Sequence, residues 1–148
     1  MTNQIKIAID PGKGGAMAVR YPDGKVVVTN FTTETEMRDE LETVLAYDDA
    51  AQISAILERV HAMPGQGVTS MFSFGANYGY WRGVLQGLRI PFTEVHPRTW
   101  QKGLMLGKVQ GVERKRKLKQ VASERFPDQK VTLKNADALL LLEVGYED

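Results

Sequence analysis

Ile5-Lys6-Ile7-Ala8-Ile9-Asp10-Pro11-Gly12-Lys13-Gly14-Gly15 is the stretch whose reading decides the fold. Its first half is rich in isoleucine and reads as a buried strand over residues 4–10. The run stops on an acid, and Pro11-Gly12 follows. A carboxylate at the end of an apolar strand is expensive to bury unless it pairs, accepts hydrogen bonds or binds a cation. Gly14-Gly15 then turns the chain into a second strand over 16–21. Pro22-Asp23-Gly24 is a tight-turn signal, and 25–31 resumes as a third strand. Three strands joined by short turns make an antiparallel meander.

Downstream the pattern changes period. Thr33-x-x-Glu36 is a capping box, and Met37, Leu41, Val44 and Leu45 fall on one helical face behind it. A fourth strand is expected over 53–60, a long helix over 68–88 and a fifth strand over 90–95. A short helix at 97–102 and two longer ones, 112–126 and 135–146, complete the order. A meander followed by crossovers gives an α/β fold, a five-stranded mixed sheet flanked by helices. Right-handed crossovers set strands 4 and 5 beside strand 1, in the order 3-2-1-4-5. No repeat or linker interrupts the 148 residues, so residues 1–148 read as a single domain.

Composition narrows the classes. With 43% apolar and 25% charged residues, the chain is built like an ordinary soluble protein. It carries no bilayer-length apolar run and no signal-peptide core, which makes the cytoplasm the expected location. The absence of cysteine excludes disulfides and thiolate zinc sites. The net charge of +1 hides a strong asymmetry. Residues 34–49 hold Glu34, Glu36, Asp39, Glu40, Glu42, Asp48 and Asp49 against Arg38 alone. Residues 98–119 hold Arg98, Lys102, Lys108, Arg114, Lys115, Arg116, Lys117 and Lys119 against Glu113 alone. A localised basic segment on a near-neutral chain suits a polyanion surface, and equally a solvated helix face.

Two further acids share the unusual setting of Asp10. Glu58 lies inside the apolar run 53–60, and Asp137 opens Ala136-Asp137-Ala138-Leu139-Leu140-Leu141-Leu142. Strand order 3-2-1-4-5 brings Asp10 and Glu58 to neighbouring strand ends, and Asp137 joins them if its helix starts at the same edge. Three converging carboxylates form a hard oxygen site suited to magnesium or manganese. Each acid also has a plainer reading. Asp10 before Pro-Gly suits a turn, Glu58 suits the wet face of a strand, and Asp137 behind Asn135 suits a helix first turn. Gly12-Lys13-Gly14-Gly15 lacks Walker spacing and reads as a hairpin turn. Gly75, Gly79, Gly83 and Gly87 recur every four residues along the long helix, at about 1 kcal/mol each relative to alanine. Close approach of the sheet or of a second subunit would offset that cost.

The ordered set resembles a known family. Ile7-Ala8-Ile9-Asp10-Pro11-Gly12, the strand-borne Glu58 and Ala136-Asp137-Ala138-Leu139 are similar to the ribonuclease H-like RuvC family of Holliday junction resolvases. Glu58-Arg59-Val60-His61-Ala62-Met63-Pro64-Gly65-Gln66-Gly67, Ser73-Phe74-Gly75-Ala76-Asn77-Tyr78-Gly79 and Val95-His96-Pro97-Arg98-Thr99-Trp100 look like the short bacteriophage members. The resemblance covers nearly the whole chain. It implies a homodimer that resolves four-way DNA junctions by paired nicks, leaving 5′-phosphate and 3′-hydroxyl ends. It also implies two Mg2+ or Mn2+ ions about 4 Å apart, with Asp10 bridging them and Glu58 and Asp137 as terminal ligands. Near Phe72 and Phe74 the family places an aromatic that opens the junction by stacking on bases; ordinary core is the plainer use of either ring. Lys13, Arg98, Lys102, Lys108, Arg114, Lys115, Arg116, Lys117 and Lys119 are then the expected DNA contacts.

One departure matters. The family carries a fourth acid shortly before the helix acid, but this chain reads Leu133-Lys134-Asn135-Ala136-Asp137, with no acid between Asp128 and Asp137. Asn135 offers a neutral oxygen in its place, so it stands with the catalytic candidates. The change is either natural, compensated by Glu143 or Glu147, or inactivating. Three functions follow: a metal-dependent junction endonuclease, a catalytically silent junction-binding protein, or an actin-like phosphotransferase. The last opens with a similar Asp-Pro-Gly turn but needs a second lobe.

Overall fold

β1 (Gln4–Asp10) is the axis of the molecule, and its alternation explains why. Ile5, Ile7 and Ile9 enter one core and Ala8 enters another, and all four are buried. A strand covered on both faces must lie inside a sheet with helices above and below. The computed structural model describes residues 2–62, 64–104 and 106–144. In it β2 (Ala16–Arg20), β3 (Val26–Asn30), β4 (Gln52–Glu58) and β5 (Phe92–Val95) join β1 in one sheet, ordered β3-β2-β1-β4-β5. The β1–β2 and β2–β3 pairs are antiparallel, and the β1–β4 and β4–β5 pairs are parallel. The mixed α/β sheet read from the meander and the crossovers is the one observed.

Two helices cover the face of Ile5, Ile7 and Ile9. α1 (Glu34–Leu45) starts where the capping box placed it, with Thr33 Oγ1 accepting from Glu36 N at 3.1 Å. It buries Met37, Leu41 and Val44 against the sheet. α2 (Val68–Gly87) adds Trp81 and Leu85 to the same core. The opposite face carries α3 (Pro97–Lys102), α4 (Gly111–Arg125) and α5 (Ala136–Val144). Their core pairs Trp100, Leu118, Phe126 and the α5 leucines with Ala8, Ala18 and Ile56.

Several boundaries move from the sequence reading. β4 ends at Glu58 rather than residue 60, where its ladder to β5 closes with Arg59 N donating to Val95 O at 2.8 Å. β5 begins at Phe92 because Arg89 takes a left-handed φ of 59° and Ile90 N still bonds Leu85 O, closing α2. Residues 145 and 146 of the expected last helix lie outside the described residues, as do Met63 and Glu147. The glycine stripe corrects one expectation. A Cβ on Gly75, Gly79, Gly83 or Gly87 would meet nothing within 4 Å, so among the described residues no backbone packs against them. The protein's own sheet is therefore not what the stripe accommodates. No helix among the described residues is long and apolar enough to cross a membrane.

Candidate metal centre

Strand parity brings the first two acids together. Ala8 and Ile56 face the same core, and Asp10 and Glu58 each follow two residues later, on the same side of their strands. β1 and β4 pair with Ala8 opposite Ile56 and Ile9 opposite Leu57, so one further step sets Asp10 level with Glu58. Asp137 comes from the first turn of α5, which packs on that face through Ala136 and Ala138. All three carboxylates are half-buried, and each offers an oxygen lying within 4.8 Å of the others.

Three acids so close resist ionisation. Burial pushes the Asp10 carboxyl well above its ordinary range, the charges of Glu58 and Asp137 push it further, and Lys115 opposes them. Burial raises Glu58 to about 7, against a hydrogen bond from Trp100 that favours its charged form. Asp137 rises to about 6 by burial, with Lys115 and then Arg114 pulling it down. A divalent cation would relieve this repulsion, and an all-carboxylate set suits a hard ion such as Mg2+ or Mn2+. The three acids fit the metal that the sequence pattern implied.

The rest of the centre holds the acids in place. Gly12 has a φ of +109°, and its N donates to Asn77 Oδ1 at 2.7 Å, tying the turn after Asp10 to α2. A Cβ on Gly12 would also meet Phe74 Cε1 at 3.1 Å. Gly15 is required by contact alone, since a Cβ there would sit 1.9 Å from Asp10 O. Trp100 Nε1 donates to Glu58 Oε2 at 2.6 Å. A cleft of about 310 Å³ opens over the centre, lined by Asp10, Asp137, Gly14, Phe74, Lys115 and Leu133 among others.

Other expected site residues are placed differently. Asn135 is buried, its Oδ1 accepting from Thr132 N at 2.8 Å and its Nδ2 donating to Lys130 O at 3.1 Å. Its amide is engaged in the turn that starts α5, and among the described residues the acidic cluster consists of Asp10, Glu58 and Asp137. Glu143 does not compensate: it pairs with Arg125 at 3.6 Å and lines a different cleft with Thr99 and Leu140. His96 caps α3, its Nδ1 accepting from Arg98 N at 3.2 Å, and its ring stacks on His61 at 5.5 Å.

Among the candidate DNA contacts, Lys115 lines the cleft beside the acids. Lys13, Arg98, Lys102, Lys108, Arg116, Lys117 and Lys119 are exposed. Lys117 Nζ also donates to Leu106 O at 3.4 Å. Arg114 is half-buried and braces α4 against α3, its Nε donating to Gln101 Oε1 at 2.9 Å. That contact uses one edge of its guanidinium. Phe72 is 80% exposed, whereas Phe74 is partly buried against Gly12.

Asn77 and Trp100 were not singled out in the sequence. Asn77 had a legible signal, lying four and eight residues before the core residues Trp81 and Leu85, where a polar side chain must find a partner.

No family model matches the chain. No curated protein matches it either. Solved structures do match. Thermus thermophilus RuvC in complex with Holliday junction substrate superposes with a TM-score of 0.59 at 12% identity, over 94% of this chain and 90% of that one. A second Thermus thermophilus RuvC structure gives a TM-score of 0.54 at 16% identity, over 93% and 90%. The fold is that of RuvC, a ribonuclease H-like fold.

Proposed function

We propose that this protein is a metal-dependent, structure-selective endonuclease that resolves four-way and related branched DNA junctions. The observation that carries the reading is the meeting of Asp10, Glu58 and Asp137, with one carboxylate oxygen of each inside 4.8 Å. The RuvC-like fold around them supports it, and so does the motif pattern of the short bacteriophage resolvases. Mg2+ or Mn2+ bound there, as two ions, would supply an activated water and stabilise charge at phosphorus and at the leaving 3′ oxygen.

The chain's own residues do the remaining work. Asp10, Glu58 and Asp137 would hold the ions through their carboxylates. Lys115 places a cation in the cleft, where it can meet the scissile phosphate without displacing an acid. Lys13 on the neighbouring turn, together with Arg98, Lys102, Lys108, Arg116, Lys117 and Lys119, supplies backbone contacts. Phe72, exposed at the start of α2, is free to stack on an unpaired base, for about 1–3 kcal/mol. The exposed face of Gly75, Gly79 and Gly83 leaves room for the backbone of a second copy. A homodimer would present two centres to two symmetric strands. Such an enzyme would act in the cytoplasm, that of a bacterial host if the gene is a phage's.

The test is to map the cuts. An end-labelled four-way junction should receive symmetric nicks on opposing strands with magnesium and none with EDTA. DNA ligase should reseal them, because the ends carry 5′-phosphate and 3′-hydroxyl. Unligatable ends or unpaired nicks would reject the mechanism. A second reading, a junction-binding protein without cleavage, is favoured by one observation: the Asn135 amide is engaged in its turn, and among the described residues no fourth acid joins the cluster. Tight junction binding without nicks would establish it. An actin-like phosphotransferase would instead show saturable nucleotide binding.

A further inference from the structure

Both tryptophans of this chain are buried, and their indole N–H groups meet different fates. Trp81 is 0% exposed in the α1/α2 core, and its Nε1 finds no hydrogen-bond partner among the described residues. Its place there rests on volume. Trp100 is 3% exposed on the other face of the sheet, and its Nε1 donates to Glu58 Oε2 at 2.6 Å. A neutral donor spent on a carboxylate makes one of the stronger protein hydrogen bonds, and it is directional.

The helix that carries this donor is pinned at both ends. His96 caps its first turn, and Gln101 Oε1 accepts from Arg114 Nε at 2.9 Å across to α4. The indole is therefore a fixed point. Glu58 needs one. A glutamate side chain has several torsions to order, and the charges of Asp10 and Asp137 would drive an untethered carboxylate out of the cluster.

We infer that Trp100 is a positioning residue for the metal centre: it occupies Glu58 Oε2 and so turns Oε1 toward a divalent cation. The inference rests on the metal centre proposed above and assigns that centre a support from α3. Residues that orient a ligand in this way typically change metal affinity about 10–100-fold when removed.

The test uses the full chain, Trp100→Phe and Trp81→Phe, with Mn2+ as the probe and no DNA. Both substitutions shrink a buried ring by a similar amount, but only one removes a donor from Glu58. Free Mn2+ is read by electron paramagnetic resonance, and folding by circular dichroism. Trp100→Phe should weaken Mn2+ binding about 10-fold or more, while Trp81→Phe stays within about threefold of wild type. Equal Mn2+ binding by the two variants would overturn the inference and leave the metal centre standing. No Mn2+ binding by the wild type at millimolar concentration would overturn both. Should Trp100→Phe fail to fold, Trp81→Phe makes Trp100 the sole indole emitter. Its fluorescence should then change on Mg2+ addition, and the change should vanish with Glu58→Gln. A flat signal would overturn the inference.

Discussion

The two faces of the sheet are packed to different rules. On the α1/α2 face, Ile5, Ile7, Ile9 and Met17 meet Met37, Leu41, Trp81 and Leu85, large side chains on both sides. On the other face, Ala8, Ala16 and Ala18 meet Ala136 and Ala138 beside the α5 leucines. Small residues on strand and helix let the two approach closely, and that approach carries Asp137 to Asp10 and Glu58. One face supplies volume, and the other supplies placement.

The largest effect should come from a charge on the placing face. Asp137→Asn should lower metal-dependent nicking by about 1,000-fold or more, roughly 4 kcal/mol of barrier. Junction binding in EDTA, followed by gel shift, should be unchanged. Next comes packing itself. Ala8→Leu overfills the close contact and should cost about 1–3 kcal/mol in urea unfolding, with activity lost as well. Ile7→Val on the volume face should cost about 1 kcal/mol with nicking intact. Equal loss of activity from both would erase the distinction between the faces.

The acids make the placing face sensitive to pH. Without metal, burial pushes Glu58 up to about 7 and Asp137 up to about 6, from ordinary values of 4.5 and 3.8. The folded state thus holds protons that the unfolded chain has released. The stability this gives is fully present below the ordinary carboxylate range and is lost as pH rises through about 6 and then about 7. The thermal midpoint without metal should fall by roughly 5 °C between pH 5 and pH 8. Mg2+ should restore it at pH 8 and do little at pH 5. A flat profile would mean that burial does not hold these carboxyls protonated above their ordinary range. The smallest effect belongs to the exposed bases. Lys119→Ala and Arg116→Ala should each reduce the salt slope of junction binding by about 1, with nicking at saturation unchanged.

The placing face was only partly legible in the sequence. β1 announced itself through its isoleucines, and the capping box located α1 to the residue, because both signals are local. The face of Glu58 was ambiguous, since Ala55, Ile56 and Leu57 are all buried and no alternation survives in a strand covered on both sides. Register with β1 settles it, and register is not local. Asn135 looked like a stand-in ligand because its residue type permits coordination, and only the fold shows its amide engaged with Thr132 and Lys130. Trp100 sits in a basic stretch where an indole could equally have been a surface contact. Only the meeting of α3 with β4 reveals its acceptor.

The proposed activity is metal-dependent cleavage of branched DNA by three acids on the placing face. It is tested most directly by incubating the protein and its Asp10→Asn variant with a four-way junction and a linear duplex, in magnesium or EDTA. Paired nicks should appear on the junction alone, only with magnesium and only with Asp10. Tight junction binding by both proteins with no cleavage by either would contradict it.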